Sequence, residues 1–425
     1  MNLSLLSGIL IFASFLITIF SYFFLNELFI FSGIFAWLAL ILLFRKVSNI
    51  KLLILLLGLS FAIFLFCMIK NFQIDFARAI LVNQYLLTLL IGVGFLRLIA
   101  TPKNENIKEL PTGKNSFIKT YWGVHLFGSV INLSSLILVA DKLYKRASLS
   151  KLQIILLTRA FSTDAYWSPF FVAFAAAITY APNLMTSKIL VIGIVLAVTA
   201  FFITLRELKD CDFSEFRGYP MQFDTLLLPF LLAILVLVTN HYYPNLKVIL
   251  LISMFSILLT SLILPFKVGI KNAIKNLNSH VTTELPKMKN EIALFLVAGM
   301  FGVSVSSLLM GYNIDFPFKN FDAFAASIML LVFILVSFIG IHPIISIAIV
   351  GNWTMDLNHT LLAATFLMSW STSVSTSPFS GVNLTMQARY DLNAKEIFKT
   401  NLPYAFKMYI FCVIILFLLA KYLGI

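Results

Sequence analysis

The string STDAYWSPF at positions 162–170 recurs in altered form as STSVSTSPF at positions 371–379. The offset is 371 − 162 = 209 residues, and Ser, Thr, Ser, Pro and Phe are identical at five of the nine positions. An aromatic residue, Phe161 or Trp370, precedes each copy. Because a Ser-Pro pair occurs at equivalent positions of both copies, the match indicates an internal repeat in the chain.

Both copies lie within apolar sequence. The 425-residue chain is 60% hydrophobic and only 12% charged, with a mean hydropathy of +0.97, whereas a soluble domain carries about 25% charged residues. Apolar stretches of bilayer-spanning length recur throughout, so we expect an all-α polytopic membrane protein. Eleven transmembrane crossings are predicted, near 3–25, 27–44, 50–69, 80–100, 152–181, 186–206, 223–242, 246–266, 291–312, 359–388 and 403–423.

Two further apolar segments, 117–140 and 323–351, carry polar or helix-breaking residues at their centres. Basic loops are retained in the cytoplasm, and such loops flank 117–140 on both sides. This segment is therefore predicted to be a re-entrant hairpin that enters from the cytoplasm and turns near Asn132. The loop 352–358 has no Lys or Arg, so the other segment is predicted to enter from the opposite face and turn near His342. The alternative, thirteen plain crossings, would place at least one strongly basic loop outside.

The domain organisation follows from this count. It comprises an extra N-terminal span (1–26), repeat 1 (27–206, with hairpin 117–147 and broken helix 152–181), a cytoplasmic linker (207–222) and repeat 2 (223–425, with hairpin 323–352 and broken helix 359–388). Five spans and one hairpin make an odd number of crossings, so the two repeats must insert with inverted topology. The N-terminus is then cytoplasmic and the C-terminus extracytoplasmic. Inverted repeats are typical of secondary transporters.

The proline in each repeated string predicts a broken helix. Proline removes a backbone donor and clashes with the preceding turn, so the crossings should break near Pro169 and Pro378. Freed backbone groups in lipid are costly unless protein or a polar cavity covers them. Half-helix N-termini then face an anion, and hydroxyls and carbonyls face a coupling ion.

Two sets of candidate residues follow. The predicted solute-binding residues are Asn132, Ser134, Ser135, Ser168, Ser375, Thr376, Ser377 and Asn383. The residues predicted to couple an ion or proton are Ser162, Thr163, Asp164, His342, Ser371, Thr372 and Ser373. Intramembrane charge marks function by default, so Asp164 is expected to hold a cation or a proton, and His342 to titrate near neutral pH. Arg159 is expected to attract a carboxylate or to pair with Asp164, and His125 to be a packed or interfacial residue.

This layout resembles the ion transporter superfamily, which includes divalent anion/sodium symporters, arsenite permeases and the membrane subunits of tripartite dicarboxylate transporters. The resemblance covers nearly the whole chain as architecture. Sodium symporters of that group often carry Ser-Asn-Thr at the hairpin tips. Here the tips read NLSS at 132–135 and GIHP at 340–343, a departure that leaves proton coupling open. The resemblance implies an elevator-type motion and a homodimer.

The favoured function is a secondary active transporter for a small anionic, carboxylate-like organic solute across the cytoplasmic membrane, coupled to Na⁺ or H⁺. In a Gram-negative cell this would be the inner membrane. The alternatives are a membrane-embedded enzyme, such as a glycan polymerase or ligase, and a passive channel. Such enzymes place their catalytic residues in sizeable extracytoplasmic loops, whereas the predicted outer loops here are short, so we expect no enzyme activity and no cofactor beyond the coupling ion. No Walker A loop occurs, which argues against ATP-driven pumping by this chain, and no H-E-x-x-H motif occurs. The net charge of +13 reflects cytoplasmic loops, so lipid and solute are the expected partners and nucleic acid is not.

Overall fold

The computed structural model describes residues 3–48, 50–100, 110–219, 227–314, 316–318, 320–351, 353–354 and 356–425. The helices are α1 (Leu3–Phe23), α2 (Phe29–Leu43), α3 (Ile50–Ile69), α4 (Phe76–Leu81), α5 (Gln84–Ala100), α6 (Gly113–Ile131), α7 (Leu133–Tyr144), α8 (Lys151–Ser162), α9 (Val172–Tyr180), α10 (Thr186–Glu207), α11 (Leu227–Tyr242), α12 (Val248–Val268), α13 (Ile270–Ser279), α14 (Lys289–Gly311), α15 (Ala323–Phe338), α16 (Pro343–Gly351), α17 (His359–Thr376), α18 (Gly381–Tyr390) and α19 (Ala394–Leu423). No strand occurs in these ranges, so the predicted all-α class is confirmed. Residues 220–222 of the predicted linker and residue 352 of the second hairpin lie outside the described residues.

Eight helical segments of the described chain are long and apolar enough to cross a membrane. They are Leu3–Phe23, Asn26–Lys46, Ile50–Ile69, Phe76–Ile99, Thr186–Glu207, Val248–Val268, Ile270–Gly311 and Ala394–Leu423. The chain is therefore a multi-pass membrane protein. Of the other three predicted crossings, 223–242 contains helix α11, and its first four residues, 223–226, lie outside the described residues. The crossings 152–181 and 359–388 are each divided into two helices. The count of eleven stays a prediction.

The chain forms two compact units. Unit 1 comprises Met1–Thr101, Phe230–Pro317 and Ile347–Met355, and unit 2 comprises Pro102–Pro229, Phe318–Ser346 and Asp356–Ile425. Each unit combines segments from both predicted repeats. Every predicted solute-binding or coupling residue belongs to unit 2.

Unit 1 is held together by small residues and a few buried hydrogen bonds. The Gln84 side-chain amide donates to Ser14 Oγ (2.7 Å) and Thr18 Oγ1 (2.8 Å), which joins α5 to α1. A Cβ atom on Gly92 would lie 2.8 Å from the Cα of Ser253, so α5 and α12 approach closely only because this residue is glycine. Such packing replaces the hydrophobic effect, which does not drive helices together in lipid.

In unit 2, helices α6 and α7 turn the chain back at Asn132, which has φ +51°. Near the start of α6, Thr120 donates to a carbonyl of segment 217–219, and Gln153 in the first turn of α8 donates to another carbonyl of that segment. The other end of α6 lies beside the break that follows α8, since the Asn132 amide donates to the Phe170 carbonyl (3.2 Å). Because α6 thus runs alongside α8, α7 must return the chain from the tip to the start of α8.

The segment of α15 and α16 reverses in the same way. The Ser337 carbonyl near the end of α15 accepts a hydrogen bond from Ser377, just beyond the end of α17. Five residues later His342 packs on Trp370, which lies seven residues before Ser377, with ring centroids 5.0 Å apart. Between the two lies Gly340, with φ +107°, a conformation that favours glycine. The chain therefore turns between α15 and α16, as the sequence predicts.

Candidate functional site

The first broken helix is interrupted where the sequence predicts. Helix α8 ends at Ser162 and continues as the 3₁₀ turn Thr163–Tyr166, and α9 begins only at Val172. The Ser168 hydroxyl donates to the Ser129 carbonyl of α6 and accepts from the Phe170 amide (3.2 Å). This one side chain therefore fixes both the path of the break and its attachment to α6.

The second broken helix repeats this arrangement. Helix α17 ends at Thr376 and α18 begins at Gly381. The Ser377 hydroxyl donates to the Ser337 carbonyl of α15 (2.6 Å) and accepts from the Phe379 amide (3.3 Å). Since Ser377 is equivalent to Ser168 by the 209-residue offset, equivalent serines make equivalent hydrogen bonds at the two breaks.

The two repeated strings are in direct contact. The Ser371 hydroxyl donates to the Ser162 carbonyl at 2.8 Å, and these serines are equivalent by the same offset. One turn further on, the Tyr166 and Thr372 hydroxyls lie 3.4 Å apart. A contact between equivalent residues is what a two-fold axis between the strings produces.

The tip of the first hairpin is bonded to the first break. The Asn132 side chain donates to the Phe170 carbonyl (3.2 Å) and accepts from the Val172 amide (3.4 Å), so it serves as a cap for α9. The Ser135 hydroxyl donates to the Asn132 carbonyl (2.9 Å), and Ser134 lies half-buried in the first turn of α7. The polar groups of this tip therefore stabilise the break, and all three predicted residues lie beside it.

His342 has a defined role in the second hairpin. Its Nδ1 atom accepts a hydrogen bond from the Ile344 amide (3.2 Å), which caps the first turn of α16. An accepting nitrogen carries no proton, so the ring is neutral in this arrangement. Pro343 at the first helical position suits the cap, because its missing N–H needs no partner there. The predicted titration of His342 would have to break this cap.

Asp164 lies in the 3₁₀ turn and is completely buried. Its Oδ1 atom lies 2.8 Å from His125 Nδ1, and a Cβ atom on Gly128 would lie 2.1 Å from its Oδ2 atom. The carboxylate therefore fits against the bare backbone of α6. Although the contact with His125 is close, it lies off the ring N–H direction, and neither carboxylate oxygen accepts a hydrogen bond from any described residue.

The position equivalent to Asp164 in the second repeat is Ser373. This serine is also fully buried, and its hydroxyl has no hydrogen-bond partner among the described residues. Nearby, the Asn383 amide donates to the Ser377 carbonyl (2.8 Å), while its own oxygen is buried without a described partner. Both breaks therefore hold buried polar oxygens whose hydrogen-bonding capacity is not used.

Asn401 of α19 connects the two broken helices. Its amide donates to the Thr158 hydroxyl of α8 (3.1 Å) and to the Ser375 carbonyl of α17 (2.9 Å). The Ser375 hydroxyl donates to the Thr372 carbonyl and lies 3.2 Å from the Thr376 hydroxyl. The predicted solute-binding residues Ser375 and Thr376 therefore lie in a hydrogen-bonded chain that reaches into the first repeat.

Arg159 does not pair with Asp164, and that prediction is wrong. Its guanidinium binds Glu207 of α10 (2.7 Å) and the Asn401 oxygen (2.9 Å), and it lies 4.3 Å from the centre of the Tyr404 ring. Arg159 is 1% exposed, and a buried charge needs such partners. Since its charge is already neutralised by Glu207, the alternative prediction, attraction of a carboxylate solute, also loses its support.

Most of the predicted residues are buried together inside unit 2. The buried ones are Ser135, Ser162, Thr163, Asp164, Ser168, Ser371, Thr372, Ser373, Ser375, Thr376, Ser377 and Asn383, and the half-buried ones are Asn132, Ser134 and His342. The sequence interpretation missed two residues. His125 was expected only to pack, although an ionisable residue seven positions before the hairpin tip is a signal. Asn401 carries no signal of its own, because one amide in a long apolar helix is unremarkable by sequence.

A groove of about 480 Å³ lies at the N-terminal ends of α8 and α19. It is lined by Leu149, Lys151, Ile154, Leu392, Asn393, Glu396, Ile397, Lys399 and Thr400. The Thr400 carbonyl at its wall accepts a hydrogen bond from Arg159. The groove therefore lies close to Arg159 and Asn401, and its lining includes no residue of the two hairpin tips. Within the described ranges, no group of three or more His, Cys, Asp or Glu side chains could hold a metal ion.

Comparison with known proteins identifies no family. No protein-family model matches the sequence, and no curated protein shows significant similarity to it. The function must therefore be inferred from the geometry of the chain itself.

Proposed function

We propose that this chain is a secondary active transporter that moves a small anionic organic solute across the cytoplasmic membrane, driven by a Na⁺ or H⁺ gradient. The observation that carries the proposal is the pair of equivalent helix breaks in contact at Ser162 and Ser371. Each break is fixed by the same serine hydrogen bonds, and each holds buried polar oxygens without described partners.

The membrane setting gives these breaks their meaning. An unbroken helix satisfies its internal backbone groups, so an interruption at membrane depth is costly unless protein covers it or it lines a polar cavity. In this protein two interruptions of that kind occur, and a hairpin packs on each through a serine. Paired broken helices from inverted repeats are the usual construction of a mid-membrane transport site. We infer that the two hairpins are re-entrant and that the repeats have opposite topology.

An anionic solute fits the helix ends at the breaks. Helices α9 and α18 begin at the two interruptions, and a helix N-terminus carries a partial positive charge. The Ser373 hydroxyl beside the second break has no partner among the described residues, so it can donate a hydrogen bond to a carboxylate. Since all of these groups belong to unit 2, one unit would carry the solute, as the elevator mechanism requires.

Uptake into proteoliposomes tests the proposal. The purified chain is reconstituted and offered radiolabelled succinate, citrate, glutamate and lactate with an imposed Na⁺ gradient, an imposed pH gradient or neither. We expect accumulation of at least one acid only when a gradient is present. Gradient-independent flux at channel rates would instead indicate a passive channel, and absence of any gradient-driven uptake would overturn the proposal.

Variants of the two equivalent serines link uptake to the breaks. Ser168→Ala and Ser377→Ala should each lower the uptake rate at least tenfold, because the break loses its attachment to the hairpin. Ser60→Ala is the matched control, since Ser60 is equally buried but bonds only the Leu56 carbonyl of its own helix. Equal uptake rates for all three variants would show that transport does not depend on the hydrogen bonds that hold the two helix breaks.

The homodimer implied by the resemblance remains part of the proposal. Light scattering of the detergent-solubilised chain, corrected for bound detergent, gives the number of chains per particle. We expect two chains per particle.

A further inference from the structure

A buried carboxylate without partners needs a positive charge or a proton. Asp164 is completely buried, and neither of its oxygens accepts a hydrogen bond from a described residue. Burial of an unpaired carboxylate costs several kcal/mol even after local relaxation. The presence of this carboxyl at a helix break therefore indicates that a cation or a proton neutralises it there.

The hydrogen bonds of His125, which lies against this carboxylate, show which of its ring nitrogens carries a proton. The indole N–H of Trp167 donates to His125 Nε2 (3.2 Å), and an indole nitrogen can only donate. Nε2 is therefore unprotonated, and the ring proton resides on Nδ1. That Nδ1 lies 2.8 Å from Asp164 Oδ1, 2.9 Å from the Thr163 hydroxyl and 3.3 Å from the Ala160 carbonyl.

This environment suits a proton better than a sodium ion. Sodium needs several oxygen ligands around it, but Oδ1 lies against the Nδ1 atom of His125 and Oδ2 lies against the backbone of Gly128. The Thr163 hydroxyl donates to the Ala160 carbonyl (2.8 Å), and the Ser135 hydroxyl donates to the Asn132 carbonyl (2.9 Å). A proton needs no ligand shell, so it can neutralise the carboxylate where a metal ion finds no cage.

The other groups around Asp164 carry no full charge in contact with it. His125 and Gly128 of α6 contact the carboxyl itself, and Tyr121 of α6 lies near it. The chain around Asp164 packs against α17, α10 and α19 through Ser162 and Tyr166, whose described partners there are Ser371, Thr372, Gly193 and Cys412. Arg159 on α8 is already paired with Glu207. The state of the carboxyl therefore depends chiefly on its contact with His125.

We propose that Asp164 and His125 form the coupling site and that the ion they carry is a proton. The inference rests on the proposed transport function and names its coupling ion. In the loaded state the proton is on the Asp164 carboxyl; when it leaves, the Nδ1–H of His125, which bonds Thr163 and Ala160 in this arrangement, must turn toward the carboxylate to stabilise it. The equivalent position, Ser373, has a hydroxyl that does not titrate in the physiological range. Each chain therefore carries one proton per cycle at this site.

Infrared difference spectroscopy of the full chain in lipid, titrated with protons alone, tests the site without a solute. We expect a carbonyl band of a protonated carboxyl that is lost on alkalinisation, absent in Asp164→Asn and shifted in its titration midpoint in His125→Gln. Asp210→Asn is the matched control, because Asp210 is exposed at the end of α10. An unchanged spectrum in Asp164→Asn would overturn the inference. The folding of each variant is checked by its thermal unfolding midpoint, and His125→Gln, which keeps the carboxyl, still reports if Asp164→Asn fails to fold.

Uptake separates this inference from the proposed function. With a radiolabelled acid from the panel above, we expect a pH gradient to drive accumulation and Asp164→Asn to retain solute exchange at equilibrium but to lose accumulation. Uptake that is driven by a Na⁺ gradient and does not depend on pH would refute the proton as the coupling ion, while the proposed transport function would stand. Absence of gradient-driven uptake would overturn the transporter, while the infrared titration would still report on Asp164.

Discussion

The two helix breaks share their backbone arrangement and differ in their chemistry. At each, a serine before the proline donates to a hairpin carbonyl and accepts an amide two residues on. The first break has Asp164 in contact with His125 of its hairpin. The second has Ser373 at the equivalent position, with Asn383 nearby, and His342 of its hairpin caps α16 instead. The repeat therefore preserves the geometry of the interruption, and the side-chain differences are the basis on which we propose ion coupling at the first break and solute contacts at the second.

The largest effect on stability is expected at Arg159, which orients Asn401, the residue that connects the two broken helices. Arg159→Leu leaves Glu207 partly buried and removes the hydrogen bond that orients Asn401 between the two broken helices. Loss of one partner of a buried ion pair costs about 3–5 kcal/mol. Measurement of the unfolding free energy in bicelles should show this loss. Lys407→Leu is the control: it removes the other, half-exposed partner of Glu207 and should cost less than about 1 kcal/mol. Equal losses of unfolding free energy in the two variants would show that the buried Arg159 contributes no more to stability than the half-exposed Lys407.

A second prediction sharpens the contrast between the hairpins. Gly128→Ala would place a methyl group 2.1 Å from Asp164 Oδ2. In the second hairpin the corresponding position, directly before Ser337, is occupied by Val336. We expect a loss of about 1–3 kcal/mol in unfolding free energy, typical of overpacking, and loss of proton-driven uptake.

Gly58→Ala provides the matched control for this change. A Cβ atom at Gly58 meets nothing within 4 Å, so alanine should leave stability unchanged or raise it by up to about 1 kcal/mol. A harmless Gly128→Ala would mean that the carboxylate has room to move away from α6.

A smaller effect distinguishes a cap from a titrating group at the second hairpin. His342→Ala removes the acceptor for the Ile344 amide and should cost about 1 kcal/mol, as loss of a cap does. His342→Asn supplies another capping oxygen and should restore stability. If the asparagine variant instead loses the pH dependence of uptake, the coupling proton belongs to His342 and the comparison between the breaks must be reversed.

The smallest effect concerns a contact between the first hairpin and the second broken helix. Asp141 of α7 binds the Arg389 guanidinium through two hydrogen bonds (2.7 and 2.6 Å) and the Tyr390 hydroxyl (2.8 Å). Partial burial raises the pKa of Asp141, but these hydrogen bonds and the arginine charge outweigh it, so the net pKa is lowered. The contact therefore stabilises the fold above the ordinary Asp pKa of about 4 and is lost as pH falls through the lowered value.

Thermal unfolding midpoints between pH about 6 and about 2 would show this dependence. Asp141→Asn should flatten the acid-side decline slightly, because half-exposed ion pairs contribute less than about 1 kcal/mol. Asp210→Asn should leave the profile as in the unsubstituted chain. If Asp141→Asn also leaves it unchanged, the contact has no measurable part in stability.

The sequence predicts those features that depend on local composition or on the repeat offset. Hydropathy locates the long helices, and the Ser-Pro strings locate the breaks and the equivalent serines, since proline acts on its own turn. The partners of Arg159 lie 48 and 242 residues away, and no local pattern links them. His125 and Asp164 meet only because α6 runs alongside α8. Such long-range partners are set by tertiary packing, and no periodic pattern in a single sequence reveals them.

The Ser371–Ser162 contact also bears on the protein's ancestry. In a half-length ancestor that paired with a second copy of itself, this serine would have faced its own counterpart across the symmetry axis. Fusion of two such genes would retain the self-contact while freeing each copy to diverge. An acidic residue such as Asp164 would then be kept in one half and replaced in the other, which makes the two breaks chemically different although their backbone arrangement is the same.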